Sequence, residues 1–392
     1  MSLIVEQTDV TGGLFDGINV SSIGEYKLRA AQLFDPLRGG QRNLVIFGAA
    51  LLGQQIAKAA ACAGLQVLAF ADNDEKLWGT VRDGLYVLSP REAVERFSGL
   101  ATFVVAIYNP SRPLRQLQEL GCEGAASYPE FFWNFGEFMS GITGMAQPER
   151  IVENIGDVRT AYGLLEDDVS RREFAAQINW RCTLRRSLLP PPSPFANIYF
   201  DPEIFSLSEE EVVVDCGAFN GDTLRTFLQR SVRFKRFYAV EPDADNRTAL
   251  ETYVAGLRPA QRDAVVVLPY AIGSEDSEIP FRAGRGPASG VSELSEFVVS
   301  CRRLDSVIET EPTLIKMDIE GEELMGLRGA ERLIARARPV LCVVAYHYCE
   351  HLWQIPNLIK SILPEYSLYL RRYAEDCWET VYYAIPSGRG SC

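Results

Sequence analysis

A buried strand in the second half of the sequence ends at a carboxylate. Val212–Val214 form a β-branched run without charge, which predicts a strand covered on both faces, as in a parallel sheet. Asp215 closes the run, and Gly217 and Gly221 bracket a turn into a helix predicted to begin at Asp222. Because the acid precedes the first glycine, this turn would repel a pyrophosphate and attract a ligand with a cationic amino-acid tail.

A second acid follows the next predicted strand. Phe237–Val240 leads to Glu241, and Pro242 then precedes a helix. A carboxylate at this place in a parallel sheet accepts hydrogen bonds from ribose hydroxyls. One acid for an ammonium group and one for a ribose describe S-adenosylmethionine, so the pattern predicts a site for that molecule.

A third group of reactive side chains follows two later strands, predicted at Thr313–Asp318 and Pro339–Ala345. Asp318 and Glu320 come after the first, and His347 after the second. Methyl transfer from a sulfonium to a hydroxyl needs an aligned acceptor and a base. His347 is the expected base by its intrinsic pKa, with the two carboxylates orienting it. A divalent ion on the carboxylates is the alternative, but they define no particular metal, so no metal ligand is assigned.

These segments resemble a known family. Asp215–Thr223, Ala239–Asp243 and Leu314–Glu323 are similar, in this order, to the motifs of FkbM-type S-adenosylmethionine-dependent methyltransferases, and the Lys-x-Asp-x-Glu-Gly core of the third is the most specific. The resemblance covers roughly the second half of the chain. It implies that Tyr199 and Phe200 cover the cofactor cleft. It also implies a set of cofactor-binding residues: Asp215, Gly217, Ala218, Asn220, Gly221, Asp222, Thr223, Glu241, Pro242, Ala271, Ile272 and Asp318.

The predicted fold class is α/β, with two Rossmann-like doubly wound domains. The expected limits are 1–145 for a nucleotide-binding-type domain, 146–200 for a helical connector and 201–392 for the methyltransferase domain. The resemblance implies that the last domain is a seven-stranded class I methyltransferase sheet. We expect its fourth strand at the centre and its last two strands, Ser367–Arg371 and Thr380–Ile385, to be antiparallel.

Two finer features of this domain are also predicted. Glu278–Arg282 and Phe297–Leu304 form an antiparallel pair before the fourth strand, and Gly321 begins one helix that reaches about Ala337. The glycine-rich loop 283–290 between the paired strands has two interpretations, a substrate lid or a solvated hairpin tip.

The first half of the chain has its own glycine turn. Leu44–Phe47 leads into Gly48–Gly53, and Val67–Ala71 leads to Asp72, as in a dinucleotide-binding opening. Ala50 stands where the middle glycine should be, and its methyl group would crowd a pyrophosphate. Through the run Phe70–Asp74 with Gly79, Gly84 and Pro90, this half is similar to the small nucleotide-binding domains beside sugar-modifying enzymes. Two interpretations stay open, a site for a nucleotide and a Rossmann-shaped scaffold that has lost its ligand.

Composition narrows the partners and the compartment. The net charge of −13 argues against non-specific binding of nucleic acid, which needs a cationic surface. Nine cysteines without a C-x-x-C pair fit reduced thiols in a cytosolic protein, and the amino terminus has no signal-peptide pattern. No apolar run approaches the ~20 residues that span a bilayer. We expect a cytoplasmic protein without nucleic-acid or membrane partners, and a homodimer is left open.

The expected function is O-methylation by S-adenosylmethionine of a small-molecule hydroxyl, that of a sugar or a nucleotide-linked sugar. One alternative is an O-methyltransferase for a polyketide, peptide or lipid, with a structural first domain. The other is a non-enzymatic protein that binds the cofactor. The joint presence of Asp215, Glu241, Asp318, Glu320 and His347 weakens this last alternative.

Overall fold

The computed structural model describes residues 20–40, 43–139, 144–230, 233–282, 290–291 and 298–390. The loop 283–289 and the predicted start of a strand at Phe297 lie outside these ranges. The chain forms two compact units. The first comprises residues up to Glu153 with Ala175–Pro191 and Ala374–Trp378, and the second comprises Asn154–Phe174, Pro192–Tyr373 and the residues from Glu379. The domain limits at 145 and 200 stay a prediction. Within the described ranges, no helix combines the length and apolarity needed to cross a membrane.

The first unit contains a six-stranded, mostly parallel sheet. Its strands are β1 (Asn43–Phe47), β2 (Val67–Ala71), β3 (Val81–Arg82), β4 (Leu85–Leu88), β5 (Ala101–Val105) and β6 (Ala125–Ser127). They lie in the order β3-β4-β2-β1-β5-β6, and only β3 and β4 pair antiparallel. The central strands β1 and β5 are almost wholly buried, as expected of a parallel sheet covered on both faces.

Helices alternate with these strands. They are α1 (Val20–Gln32), α2 (Asp35–Arg38), α3 (Leu51–Cys62), α4 (Pro90–Phe97), α5 (Ser111–Glu119), α6 (Tyr128–Phe135) and α7 (Pro148–Glu153). Within this unit the fully buried Phe34 packs edge-on against Phe131 and Phe135 of α6, with ring centroids 6.0 and 5.6 Å away. The β-α alternation confirms the predicted Rossmann-like class of this half.

The second unit contains the strands that surround the predicted cofactor turn. They are β7 (Val212–Cys216), β8 (Arg236–Val240), β9 (Val265–Leu268), β10 (Ala271–Ile272), β11 (Ser277–Arg282), β12 (Gly290–Val291), β13 (Val298–Arg302), β14 (Leu314–Met317), β15 (Val340–Val344), β16 (Ser367–Arg372) and β17 (Thr380–Ile385). Seven of them form a sheet in the order β16-β17-β15-β14-β7-β8-β9. The strand β14 lies at its centre and β16 pairs antiparallel with β17, so the predicted seven-stranded arrangement is confirmed.

The inserted strands form a small sheet of their own. Its order is β10-β13-β11-β12, and β11 and β13 pair antiparallel as predicted. The parallel pair of β10 with β13, in which Ala271 lies opposite Cys301, was not predicted. Ala271 and Ile272 follow β9 in the sequence, and this pairing holds them at the carboxyl edge of the main sheet.

The helices of this part of the chain are α8 (Ile155–Gly163), α9 (Asp168–Thr183), α10 (Asp222–Arg230), α11 (Ala244–Ala255), α12 (Pro259–Ala264), α13 (Leu304–Val307), α14 (Glu323–Arg328), α15 (Glu331–Ala337) and α16 (His351–Ile362). The single helix predicted from Gly321 to Ala337 is wrong, because α14 ends before Gly329. A methyl group on Gly329 would overlap the carbonyl oxygen of Gly273. The amide of Asp305 donates to the carbonyl of Gly329 at 3.0 Å, and the carboxylate of Asp305 accepts the Leu333 amide at 2.8 Å in α15.

Candidate active site

A cavity of about 290 Å³ opens at the carboxyl ends of β7, β8 and β14. Most of the predicted site residues line it: Gly217, Asp222, Thr223, Glu241, Pro242, Ala271, Ile272, Asp318 and Glu320. The remaining ones do not line it: Asp215, Ala218, Asn220, Gly221 and His347. The parallel strands therefore bring together, at one edge, residues that are up to about a hundred positions apart in the chain.

The turn after β7 is held by its own backbone. The amides of Gly217 and Ala218 both donate to the carbonyl of Val240 in β8 at 3.0 Å, and the amide of Gly221 donates to the carbonyl of Ala218 at 2.8 Å. Asn220 accepts the guanidinium of Arg225 at 2.9 Å. These contacts give Ala218, Asn220 and Gly221 the task of shaping the turn.

Gly217 is the point where this turn meets the loop after β14. Its φ is +78°, and a methyl group at this position would overlap the carbonyl oxygen of Asp318. Only glycine combines that backbone conformation with so close an approach. The wall of the cavity between β7 and β14 is consequently bare backbone.

Asp215 lies beneath the turn, and its position corrects the predicted contact with a ligand ammonium group. Its side chain is fully buried, and one carboxylate oxygen lies 3.0 Å from Nζ of Lys316, which is 3% exposed. Burial raises the pKa of Asp215 to about 6, and Lys316 opposes that shift. Nζ of Lys316 also donates to the carbonyl of Gly217 at 2.8 Å. Asp215 therefore positions Lys316, and Lys316 in turn holds the backbone of the glycine turn.

Glu241 faces the cavity from the end of β8. Its two carboxylate oxygens accept the amides of Phe219 at 2.8 Å and Asp243 at 2.9 Å. Oε1 also accepts the side-chain amide of Asn246 at 3.5 Å, whereas Oε2 retains a second lone pair for a further donor. Burial raises the pKa of Glu241 to about 7, although these hydrogen bonds oppose the shift.

Asp318 is held by two tyrosine hydroxyl groups. Tyr199 donates to one carboxylate oxygen at 2.8 Å and Tyr346 donates to the other at 3.1 Å. Tyr199 lines the cavity, whereas Phe200 packs against Phe227 with a centroid distance of 5.7 Å. Of the pair predicted to cover the cleft, only Tyr199 reaches it.

His347 stands behind Asp318 and Glu320. Its Nδ1 lies 2.9 Å from Glu323, and its Nε2 lies 3.6 Å from Asp318 and 3.8 Å from Glu320. Burial alone would lower the pKa of His347, but Glu323, Glu320 and Asp318 outweigh burial and raise it to about 9. The intrinsic pKa that suggested a neutral base therefore does not apply, because three carboxylates surround the ring.

A match to a known protein family identifies the domain that forms most of this cavity. Residues 215–373, which carry the turn after β7, Glu241 and the Asp318 cluster, match the family described as the methyltransferase FkbM domain. The chain carries an FkbM methyltransferase domain. S-adenosylmethionine is its cofactor, and the protein is an S-adenosylmethionine-dependent methyltransferase.

One solved structure agrees with this fold, and two others are similar only in part. Methyltransferase FkbM from Methylobacillus flagellatus KT matches at a TM-score of 0.72 and 24% identity, over 92% of this chain and 99% of that chain. A putative rRNA-methylase from Clostridium thermocellum matches at 0.32 and 10% identity, over 47% of this chain and 91% of that one. Aeropyrum pernix fibrillarin with natively bound S-adenosyl-L-methionine matches at 0.29 and 14% identity, over 46% and 69%. A search of curated proteins returned no match.

The cavity also has an acid that the sequence motifs did not predict and that follows the matched residues. Glu379 lines the cavity, has a φ of +55° and immediately precedes β17. The amide of Ala345, just after β15, donates to the backbone carbonyl of Thr380 at 2.8 Å. Because β17 is antiparallel, its first residues lie beside the carboxyl ends of the parallel strands. The predicted direction of the last strand was the signal that pointed to this position.

The polar groups at the glycine turn of the first unit and at the loop after β5 form contacts within that unit. Asp72 accepts the amide of Ala49 at 2.8 Å, and α3 begins without a side-chain cap. On the loop after β5, the amide of Glu375 donates to Asn109 at 3.0 Å and the ring of Trp378 packs on Tyr108. These contacts favour the scaffold interpretation over the nucleotide site, and both stay predictions.

Proposed function

We propose that the FkbM domain transfers the methyl group of S-adenosylmethionine to a hydroxyl of a sugar or nucleotide-sugar. One observation carries the proposal: most of the residues predicted to bind the methyl donor line the same cavity as the Asp318 and Glu320 carboxylates. Donor and acceptor must meet in one place for an in-line displacement. The cytoplasmic location and the carbohydrate acceptor are parts of this proposal.

The donor side of the cavity fits S-adenosylmethionine. Oε2 of Glu241 keeps a lone pair for the ribose diol, and the close approach of Gly217 to the carbonyl of Asp318 holds the two loops that line the cavity together. Asp222 and Asp318 face the cavity and would receive the ammonium group in place of the buried Asp215. When bound, S-adenosylmethionine supplies a methyl group on a positively charged sulfur, and an acidic cavity attracts that charge.

The acceptor side must orient a hydroxyl and take its proton. Asp318 is held by two tyrosines, and His347 carries a proton near neutral pH. Glu320 and Glu379 also line the cavity, and neither carboxylate accepts a hydrogen bond from another described residue. In the proposed reaction one of them accepts the proton as the new oxygen–carbon bond forms.

The charge of the cavity limits which acceptor groups can bind in it. Among the described residues that line it, Lys316 is the one cation, against six carboxylates: Asp222, Glu241, Asp318, Glu320, Glu322 and Glu379. Carboxylates accept hydrogen bonds from a ring of hydroxyl donors, as a sugar offers, and repel a phosphate. A nucleotide-sugar would therefore place its sugar here and its diphosphate outside this acidic part.

Ligand binding and turnover test the proposal. We expect S-adenosylhomocysteine at a hundred times its Kd to stabilise the protein by about 2.7 kcal/mol and raise its melting temperature. Methyl transfer from labelled S-adenosylmethionine is then expected with members of a panel of free sugars and nucleotide-sugars. Transfer only to polyketide, peptide or lipid hydroxyls would replace the sugar by the second acceptor class. Nucleotide-sugars that raise the melting temperature without serving as acceptors would restore the nucleotide interpretation of the first unit.

The affinity for S-adenosylhomocysteine is expected to depend on pH through Glu241. The pKa of Glu241 is about 7 in the free protein. Ribose hydroxyls donate to its ionised carboxylate, so binding lowers this pKa. Below pH 7 Glu241 must therefore lose a proton before the ligand can bind. The Kd should rise as the pH falls below 7, by up to about tenfold per pH unit. Isothermal titration at several pH values measures this slope.

The matched variants are Glu241→Gln and Glu251→Gln. The first removes the titrating group and should weaken binding about tenfold at pH 8 while flattening the pH dependence. The second removes an exposed carboxylate of α11 and should leave the affinity and its pH dependence unchanged. An unchanged slope in Glu241→Gln would show that this carboxylate does not hold the ribose.

A further inference from the structure

Three side chains of the FkbM domain converge behind the acceptor side of the cavity. One oxygen each of Asp318 and Glu320 and one ring nitrogen of His347 all lie within 4.8 Å of one another. The two distances from Nε2 of His347 to the carboxylates, 3.6 and 3.8 Å, are too long for hydrogen bonds. Ligand atoms bound at ~2.1 Å to one ion are separated by roughly 3.0–3.4 Å. A small contraction would therefore let one ion contact all three groups.

The ring of His347 is oriented as a metal ligand is. The residue is 1% exposed, and its Nδ1 lies 2.9 Å from Oε1 of Glu323. Its other nitrogen, Nε2, points into the cluster and has no hydrogen-bond partner among the described residues. A histidine that ligates a metal through one nitrogen usually donates from the other to a carboxylate, which fixes the tautomer.

Glu323 also holds the loop that carries the two carboxylates. It accepts the amides of Ile319 at 2.9 Å and Gly321 at 3.3 Å, and its other oxygen lies 3.3 Å from Nδ1 of His351. Asp318 is fixed separately by the hydroxyls of Tyr199 and Tyr346. The three converging groups are thus positioned by a surrounding layer of hydrogen bonds.

We propose that Asp318, Glu320 and His347 bind one divalent transition-metal ion, Mn²⁺ or Zn²⁺. Two carboxylates with one imidazole suit such ions, whereas Mg²⁺ and Ca²⁺ prefer oxygen ligands alone. Nε2 of His347 binds the ion in its unprotonated form, while Nδ1 faces Glu323. Three protein ligands leave coordination positions open toward the cavity that Asp318 and Glu320 line.

The role of the ion, unlike its binding, rests on the proposed function. An acceptor hydroxyl that occupies an open position loses its proton more readily, because the ion stabilises the alkoxide. Glu320 is then a ligand, so Glu379 remains as the carboxylate at the cavity that takes this proton. The methyl group bonds to the same oxygen as its bond to sulfur breaks.

Metal binding to the full-length protein tests the proposal directly. After treatment with a chelator and its removal, Mn²⁺ is titrated and the free ion is followed by electron paramagnetic resonance, with Zn²⁺ as competitor. We expect one saturable Mn²⁺ per chain, displaced by Zn²⁺. In Glu320→Gln and in His347→Gln the affinity should fall at least tenfold. Glu331→Gln is the matched control, since Glu331 is an exposed carboxylate at the start of α15 that does not line the cavity, and its affinity should stay within twofold.

Binding of S-adenosylhomocysteine, measured on the same samples, separates this proposal from the proposed function. The absence of saturable Mn²⁺ and Zn²⁺ binding in a protein that binds S-adenosylhomocysteine would overturn the metal site alone. Equal metal affinity in Glu320→Gln and the unsubstituted protein would overturn it as well. Methyl transfer that continues undiminished in the chelator would overturn the role in the reaction.

Discussion

Replacing Lys316 with methionine is expected to lower the free energy of unfolding by about 3–5 kcal/mol, because it leaves the charge of Asp215 buried without its partner. The two side chains are 3% and 0% exposed, so water cannot replace the lost ammonium group. Chemical denaturation followed by circular dichroism measures the change. The comparison is Lys235→Met, which removes an exposed surface pair with Glu210 and should cost about 1 kcal/mol or less.

A double variant separates the charge from the hydrogen bonds. Asp215→Asn with Lys316→Met removes both charges, and much of the lost stability should return. The affinity for S-adenosylhomocysteine should not return, because the carbonyls of Gly217 and Cys216 still lack the Lys316 donor. A single variant as stable as the unsubstituted protein, or a double variant that binds normally, would contradict this account of the turn.

Gly217→Ala is expected to destabilise the protein by about 2–5 kcal/mol and to weaken S-adenosylhomocysteine binding by more than tenfold. Two costs add at this position. An alanine disfavours a φ of +78°, and its methyl group would overlap the carbonyl oxygen of Asp318. The loops after β7 and β14 must then separate, and both of them line the cavity.

Gly388→Ala is the matched control for Gly217→Ala. Its φ of +85° is similar, but no atom lies within 4 Å of an added methyl group. It should cost only about 1 kcal/mol and leave the affinity unchanged. Equal effects of the two substitutions would show that backbone conformation alone, and not the contact between the loops, makes Gly217 necessary.

Local pattern was enough to predict the strands of the main sheet. Runs such as Val212–Val214 and Val340–Val344 are buried on both faces, which is why they contain no charge. Parallel strands then place the residues that follow them at one edge, so the meeting of Glu241 and Asp318 at one cavity followed from their order. The break between α14 and α15 did not follow, because it depends on the backbone of Gly273, far away in the sequence.

The sequence by itself determined the strands of the main sheet, the glycine turn and the carboxylates at the strand ends, since these follow from the hydrophobic pattern. The order of the strands was implied by the resemblance to the family. Only the tertiary structure decided which ionisable groups are buried, which are paired and which line the cavity. Asp215 is buried against Lys316, His347 lies among carboxylates that raise its pKa, and Glu379 reaches the cavity from an antiparallel strand. Burial and the distance between charges set the behaviour of an ionisable group, and both are properties of the folded chain.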